Sequence, residues 1–367
     1  MLKKSRLGCG AVALAILMVS SLSCAGEMAV GSVLTSPATR VAEPSRSVLI
    51  GSARAGERLV AVGERGVIVL SDDNGHTWRQ ASVPVSVTLV SVQFVDASHG
   101  WAVGHAGVVL VTLDGGEHWT LQLTGVEAAQ IELTTAQTAK TGTVDVDAAE
   151  LRVANAERLV ADGPDKPFLA VHFVDANHGL VAGAYGILFA TQDGGATWRS
   201  LIGQVENPSS VHIYAIAQKD QRWFLAGEQG YLARSNDEGQ SFVQLESPYS
   251  GSFFTATVRA DGELLVAGLK GRAYTSVDGG DSFQELKGVA ASSFGSSIQM
   301  ASGALLLANQ TGSLFVNSTG EGDTLKALGK PLGMPVSSIV EAADGSLIAS
   351  GFAGIAHVSN PASDIQE

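Results

Sequence analysis

The residues best suited to chemistry in this sequence are carboxylates that recur in one short motif, Ser/Thr-x-Asp-x-Gly-x-Thr/Ser-aromatic, termed here the Asp-box. Carboxylates can bind metals or act as general acids and bases. In a turn of this kind, however, the Asp accepts backbone N–H bonds, and the aromatic residue packs beneath. We therefore expect a structural role for five pairs: Asp73 with Trp78, Asp114 with Trp119, Asp193 with Trp198, Asp237 with Phe242, and Asp278 with Phe283.

Other candidate groups for chemistry are sparse. His76 and His118 fall inside Asp-boxes, while His99 and His178 occupy equivalent positions of a repeat. None of them is spaced as a pair of metal ligands. The sequence also contains no Gly-x-Ser-x-Gly elbow and no phosphate-binding loop. We therefore predict no metal site, no cofactor and no catalytic residue.

A repeat places the Asp-boxes at regular intervals. Residues 91–104 align with residues 170–183, and both alignments continue to the tryptophan of an Asp-box. In each unit an apolar stretch ends in a Gly pair separated by two residues, which suits a tight hairpin where positive φ is needed. Seven such pairs occur: Gly63/Gly66, Gly104/Gly107, Gly183/Gly186, Gly227/Gly230, Gly268/Gly271, Asn309/Gly312 and Gly351/Gly354.

The spacing of these pairs predicts the fold. Successive first members are 41, 79, 44, 41, 41 and 42 residues apart. Units of this length with four short strands are typical of propeller blades, which bury their faces only against their neighbours. We predict an all-β, seven-bladed β-propeller over residues 29–367. The last unit is expected to be one strand short of four, and residues 29–34 are predicted to supply that strand and close the ring.

The step of 79 residues indicates an insertion, residues 124–166, between units two and three. Asp147 and Glu150 form a capping-box signal, and Gly163-Pro164 ends the helix. Ala149, Val153, Ala156 and Val160 recur at helical spacing. Residues 126–139 form a second candidate helix, with Ile131 and Leu133 on its apolar side. A helical hairpin results, which either packs on the propeller or binds a partner.

The Gly-pair hairpins and the connections between units should share one face of the ring. The residues inside each pair are its natural surface, and loops on a rigid scaffold commonly carry binding residues. Their chemistry is mixed, so they form a candidate binding face without forming a catalytic set: Arg65, His105, Tyr185, Gln229, Lys270, Gln310 and Phe352.

The first 25 residues have the layout of a secretory signal peptide: a basic start, an apolar run and small residues before a cleavage site. Cleavage after Ala25 releases a soluble protein, whereas cleavage before Cys24 leaves a lipid anchor on that cysteine. Both cysteines, Cys9 and Cys24, lie in this segment, so we expect no disulfide in the mature domain. We predict an exported monomer, periplasmic or on the outer surface of the envelope.

The charge balance limits the partners. The whole chain carries a net charge of −13, and loss of Lys3, Lys4 and Arg6 makes the mature domain more acidic still. An acidic surface disfavours nucleic acid and anionic lipid. Contact with a membrane is therefore expected only through the lipid anchor.

Residues 94–107, Phe-Val-Asp-Ala-Ser-His-Gly-Trp-Ala-Val-Gly-His-Ala-Gly, followed by Asp-Gly-Gly-Glu-His-Trp at 114–119, resemble the photosystem II stability/assembly factor family. The resemblance covers about residues 47 to 359. It implies an Asp-box propeller without enzymatic activity that holds membrane or envelope proteins during assembly through an arginine-rich patch. This chain departs from that patch, because its arginines are scattered, as at Arg65, Arg79, Arg199 and Arg272.

Two classes of function follow. The first is a scaffold or binding protein, as the resemblance implies. The alternative is a sialidase-like glycosidase or a carbohydrate-binding propeller, since such proteins also carry Asp-boxes. A glycosidase of this class needs a basic clamp with Tyr and acid groups. Arginines clustered around one tyrosine in the channel would therefore favour the enzyme.

Overall fold

The computed structural model describes residues 30–141, 145–288, 291–318 and 322–359. The predicted signal peptide (1–25) and the lipidation candidate Cys24 lie outside these residues. The described chain is mostly β-structure, arranged as seven antiparallel sheets in sequence order, of which six have four strands and one has three.

The strands follow one another from the inner to the outer edge of each sheet. Blade one contains β1 (Leu49–Ala55), β2 (Arg58–Gly63), β3 (Ile68–Ser71) and β4 (Arg79–Gln80). Blade two contains β5 (Leu89–Phe94), β6 (Gly100–Gly104), β7 (Val109–Thr112) and β8 (Thr120–Leu123). Blade three contains β9 (Phe168–Phe173), β10 (Gly179–Gly183), β11 (Leu188–Thr191) and β12 (Arg199–Ser200). Blade four contains β13 (Ile213–Lys219), β14 (Arg222–Gly227), β15 (Leu232–Ser235) and β16 (Val243–Gln244).

Blades five to seven continue the pattern. Blade five contains β17 (Phe253–Val258), β18 (Leu264–Gly268), β19 (Ala273–Ser276) and β20 (Gln284–Glu285). Blade six contains β21 (Phe294–Gln299), β22 (Leu305–Asn309), β23 (Leu314–Asn317) and β24 (Lys326–Leu328). Blade seven contains β25 (Ser338–Glu341), β26 (Leu347–Gly351) and β27 (Gly354–Val358). The described residues also contain three α-helices: α1 (Val30–Thr35), α2 (Gly125–Lys140) and α3 (Val146–Asp162).

The hydrophobic core lies between neighbouring blades. One cluster joins Val60 and Leu70 of blade one to Leu110 and Trp119 of blade two. The second strands are buried along most of their length, and β6, β10, β18, β22 and β26 are buried throughout. Each blade therefore depends on both neighbours for its packing, as expected of a closed array of repeats.

The ring closes without the predicted terminal strand. Residues 30–35 form α1, and the Val33 carbonyl accepts a hydrogen bond from Ser86 N at 2.9 Å, in the connection between blades one and two. The prediction that residues 29–34 complete blade seven is therefore wrong. Val30, Val33 and Leu34 follow the i, i+3, i+4 spacing of a helix, which explains the difference.

Blade seven instead contacts blade one through side chains. Strand β25 lies against β1, and the hydroxyls of Ser52 and Ser338 are 2.8 Å apart. Farther out, Leu59 packs with Ile348, and the rings of His76 and His357 stack with centroids 4.8 Å apart. The first strand of every blade contacts the first strand of the next blade all the way round the ring. The seven inner strands therefore surround a central channel.

The two members of a Gly pair have different roles. Gly63 is extended, with φ −165°, and a Cβ there would lie 1.9 Å from the Val48 carbonyl oxygen. The left-handed conformation falls on Arg65 and Gly66, with φ 55° and 73°. Gly63 is thus required because another backbone segment approaches it closely. Gly66 is required because its φ is positive. The sequence had suggested a positive φ for both members of the pair, and only the second has one.

Candidate functional site

In the Asp-box of blade one, the hydrogen bonds of the carboxylate join residues of the same turn. The Asp73 carboxylate accepts hydrogen bonds from the Ser71 hydroxyl at 2.8 Å, Thr77 N at 2.8 Å and the Thr77 hydroxyl at 2.6 Å. Gly75 N donates to the Ser71 hydroxyl, and the Trp78 indole donates to the Gly75 carbonyl. The Thr77 hydroxyl and N–H, with Ser71, lower the pKa of Asp73 to about 2.

In the other four boxes the Asp carboxylate accepts the same set of bonds from its own turn. His118 Nδ1 lies 2.8 Å from Asp114 in place of the hydroxyl, and Thr197 donates to Asp193 at 2.6 Å. Burial raises the pKa of Asp237, but hydrogen bonds from Ser235 and Ser241 outweigh it and lower the pKa to about 2. These carboxylates are engaged inside their own turns. Across the described ranges, no group of three or more His, Cys, Asp or Glu side chains is placed to hold a metal ion.

The turn of blade six lacks the Asp of the motif, and the side-chain amide of Asn317 supplies hydrogen bonds to the turn instead. Asn317 Nδ2 donates to the carbonyls of Gly322 and Thr324, each at 3.0 Å. From blade five, the buried Arg259 donates to Asn317 O at 2.7 Å and Oδ1 at 2.8 Å. A neighbouring blade thus supplies part of the support that the missing carboxylate gives elsewhere.

Similar inter-blade bonds occur at intact boxes. In three places a side chain of the preceding blade donates to a glycine carbonyl in the turn: Arg58 to Gly115 at 3.1 Å, Gln122 to Gly194 at 2.8 Å, and Arg234 to Gly279 at 2.8 Å. The Asp-box face of the ring is therefore held by bonds within and between turns.

The opposite face carries the hairpins of the Gly pairs, and it is termed here the Gly-pair face. The residues predicted from the sequence lie there, one per blade, and all seven are exposed: Arg65, His105, Tyr185, Gln229, Lys270, Gln310 and Phe352. The ring separates them rather than gathering them into one site. Tyr185 differs from the others because it lies at the edge of a cluster of rings.

That cluster was missed by the sequence analysis. The Tyr185 ring lies 4.9 Å from His212, His212 lies 6.1 Å from Tyr214, and Tyr214 lies 5.4 Å from Phe254, measured between centroids. Tyr214 and Phe254 occupy the same position, a β-bulge at the second residue of an inner strand. A bulge re-aims side chains, and the repeat alignment could have identified this position.

The insertion lies on the same side of the ring. Helix α2 begins with a capping box between Thr124 and Glu127. Helix α3 is capped by Asp145, which accepts from Ala148 N, so its cap lies two residues before the predicted one, Asp147. Gly163 ends it with φ 77°.

The packing of α3 also differs from the prediction in one residue. Ala156 is buried, and Leu159 packs against the core between blades two and three. Val160 is 38% exposed, although the sequence pattern had placed it on the apolar side. The apolar stripe therefore ends at Leu159.

A buried ion pair holds the two helices and blade three together. Glu132, on α2, is 2% exposed. Its carboxylate accepts from Arg152 of α3 at 2.9 and 3.1 Å and from the Ser200 hydroxyl of β12 by a short bond. A buried, multiply bonded carboxylate is costly to disturb, so the hairpin has a defined position on the propeller.

The channel does not gather the groups that a sialidase-like site needs. Across the seven described inner strands, Arg54 is the one arginine. The buried Arg259 donates to Asn317 Oδ1 at 2.8 Å and forms an ion pair with Glu263 at 2.9 Å. Within the described ranges, no helix combines the length and apolarity required to cross a bilayer.

Comparison with known families decides the relationship. The family model described as photosynthesis system II assembly factor YCF48 matches residues 70–160 and 153–321, together more than half of the chain. The chain belongs to the YCF48 family. The matched segments include blades two to five and the helical insertion.

Curated relatives in the YCF48 family match over shorter stretches. The photosystem II assembly protein Ycf48 of Synechococcus sp. (strain JA-2-3B'a(2-13)) is 30% identical over 159 residues, 41% of this chain and 46% of that protein. The photosystem II assembly lipoprotein Ycf48 of Synechococcus sp. (strain CC9902) is 29% identical over 100 residues, 26% of this chain and 30% of that protein. The chain thus spans less than half the length of these relatives.

Solved structures show the shared fold over most of the chain. YCF48 bound to D1 peptide superimposes with a TM-score of 0.61 and 15% identity, covering 87% of this chain and 97% of that one. YCF48 from Cyanidioschyzon merolae gives a TM-score of 0.60 at 14% identity, covering 86% and 97%. The WD40 propeller of Doa1 gives 0.61 at 10% identity, covering 89% and 95%. At these identities the likeness establishes the propeller and nothing finer.

Proposed function

We propose that this protein is an exported, non-enzymatic scaffold that binds a membrane or envelope protein during assembly. The observation that carries the proposal is membership of the YCF48 family, together with a YCF48 propeller solved with a D1 peptide bound. A photosynthetic partner is not part of the proposal, because fold likeness does not transfer a partner.

The binding surface that we propose is the Gly-pair face with the adjoining helical insertion, residues 124–166. Two features support this choice. The exposed residues of the hairpins differ from blade to blade, and the insertion is pinned beside them by Glu132 and Arg152. A rigid element next to a variable surface favours specific recognition, because little order is lost on binding.

We also propose export as a monomer to the periplasm or the outer surface of the envelope. A matched relative is named a lipoprotein, which supports lipid attachment at Cys24. Intact-mass analysis of the mature protein distinguishes the alternatives: a chain starting at Gly26 is soluble, and a diacylglycerol adduct on Cys24 is anchored. A retained Met1 in the native host would contradict export.

Deleting the insertion tests the scaffold. Gly125 and Pro164 lie side by side, since a Cβ on Gly125 would be 3.0 Å from the Pro164 Cα. Residues 126–163 can therefore be replaced by a short Gly/Ser linker. The deletion should leave a cooperatively unfolding propeller that recovers less partner from solubilised envelope than the wild type does.

The matched control keeps the helices and loosens their attachment. Glu132→Gln removes the charge that holds Arg152, so the insertion should become sensitive to protease while the ring remains folded. Equal partner recovery by wild type, deletion and Glu132→Gln would remove the insertion from the mechanism. Hydrolysis of a sialoside or another glycoside by purified wild type, lost on a single channel substitution, would replace the scaffold with the glycosidase.

A further inference from the structure

A row of rings crosses the Gly-pair face from the insertion to the channel mouth, and it is termed here the aromatic row: Tyr185, His212, Tyr214 and Phe254. It spans blades three, four and five, and the centroids of successive rings are 4.9, 6.1 and 5.4 Å apart. Tyr185 is 57% exposed, and the other three are partly exposed. The row therefore presents aromatic surface to solvent.

The outer end of the row already binds a cation. Lys166 Nζ lies 5.2 Å from the centroid of the Tyr185 ring. The same ammonium contacts Asp162 at 3.2 Å and Asp165 at 2.5 Å, so two carboxylates face one lysine. Aromatic faces attract cations through their quadrupole, and Lys166 shows that the geometry suits this contact.

The middle of the row has a carboxylate of its own. Glu228 Oε2 lies 3.4 Å from His212 Nδ1, and the same nitrogen accepts from Tyr185 N at 3.3 Å. Burial and, secondly, the negative charge of Glu228 raise the pKa of Tyr214. The three carboxylates Asp162, Asp165 and Glu228 outnumber the one ammonium, Lys166, along the row, in a chain of net charge −13.

We propose that the aromatic row binds an extended segment of a partner protein that carries arginine or lysine side chains. This inference rests on the proposed scaffold function and names the chemistry of its partner. The cationic heads lie over the face of Tyr214 and near Glu228, while their apolar stems and the segment's other side chains contact Tyr185 and Phe254. Aromatic and acidic groups act together in such a site, because desolvation by the rings strengthens the attraction between the charges.

The test uses full-length protein and a labelled Gly/Ser peptide with arginines at alternate positions, measured by fluorescence anisotropy at low and high salt. Its comparators are the same peptide with glutamates and with leucines. The arginine peptide should bind most tightly, and its affinity should fall as salt rises. Glu228→Gln and Tyr214→Leu should each weaken it about fivefold.

Exposed turn residues on the Asp-box face supply the controls. Glu238 lies in the Asp-box turn of blade four, and Val277, 84% exposed, lies in that of blade five. Glu238→Gln and Val277→Gln should leave peptide binding unchanged, whereas Tyr185→Gln should weaken it. Tighter binding of the leucine or glutamate peptide, or equal losses in the control variants, would overturn the proposal.

Partner recovery from solubilised envelope separates this inference from the scaffold function. If Tyr185→Gln and Glu228→Gln recover the same partners as wild type, the aromatic row is not the site and the scaffold stands. If wild type recovers none although the peptides discriminate, the scaffold fails and the cation-binding row stands.

Discussion

The two faces of the ring are built by the same repeats but use their side chains differently. On the Asp-box face, Asp73 and its equivalents accept hydrogen bonds from residues of their own turn. On the Gly-pair face, every turn exposes at least one side chain, which varies from Arg65 to Tyr185 to Gln229.

The backbone explains the difference. An Asp-box needs a carboxylate, a hydroxyl or imidazole, and a glycine in fixed places, so its side chains are determined by the turn. A Gly-pair hairpin is constrained at the pair itself and, in blades one to five, by a left-handed φ at the second residue between the pair, such as 56° at Tyr185. One face is therefore constrained by folding, and the other is free to vary from blade to blade.

The largest effect should come from the backbone of the Gly-pair face. In Gly183→Ala, the new Cβ would lie 2.1 Å from the Pro167 carbonyl oxygen. The strands must separate to accommodate it, so denaturant unfolding should show a loss of about 3 kcal/mol. Gly163→Ala is the matched control: it has positive φ but open space, and should lose about 1 kcal/mol. Equal losses would show that close approach is not what requires Gly183.

A smaller loss should follow from opening one Asp-box. Asp193→Ala removes the acceptor for Thr197 N and both neighbouring hydroxyls. Because this turn is largely exposed to water, the free energy of unfolding should fall by only about 1 kcal/mol. Asp193→Asn keeps one acceptor and should lose less. An unchanged stability combined with loss of partner binding would reverse the roles of the two faces.

Acid should weaken the Asp-box face gradually. The pKa values of Asp73 and Asp237 are lowered to about 2 in the fold. A carboxyl with a depressed folded pKa stabilises the fold above its unfolded pKa, and that contribution is lost as the pH falls. The thermal midpoint should therefore decrease between about pH 4 and pH 2. A midpoint that is flat across this window would contradict the hydrogen bonding described for the boxes.

The smallest effect on stability should come from the exposed turns. Tyr185→Gln introduces the residue that blade four carries at the equivalent position, Gln229, where φ is 55°. The free energy of unfolding should change by no more than about 0.5 kcal/mol. A larger loss in chemical denaturation would mean that Tyr185 supports the fold rather than a partner.

Sequence patterns predicted the repeats and the family because the Asp-box turn, whose bonds join residues up to four positions apart, recurs in the same place in successive blades. They failed where distant segments meet. Residues 29–34 were assigned to a strand because the ring needed one, although their apolar spacing is helical. The pair Glu132–Arg152 and the ring contact of Tyr214 with Phe254 join residues that no local pattern connects.

The central claim is that the partner contacts the Gly-pair face and not the Asp-box face. Blade four offers a matched pair of sites, since Gln229 and Glu238 lie at its opposite ends, are both exposed, and have φ of 55° and 61°. A photo-crosslinking amino acid can be placed at each position in turn and irradiated with solubilised envelope. We expect a discrete protein adduct from position 229 and none from position 238. An adduct formed only from position 238 would contradict the account.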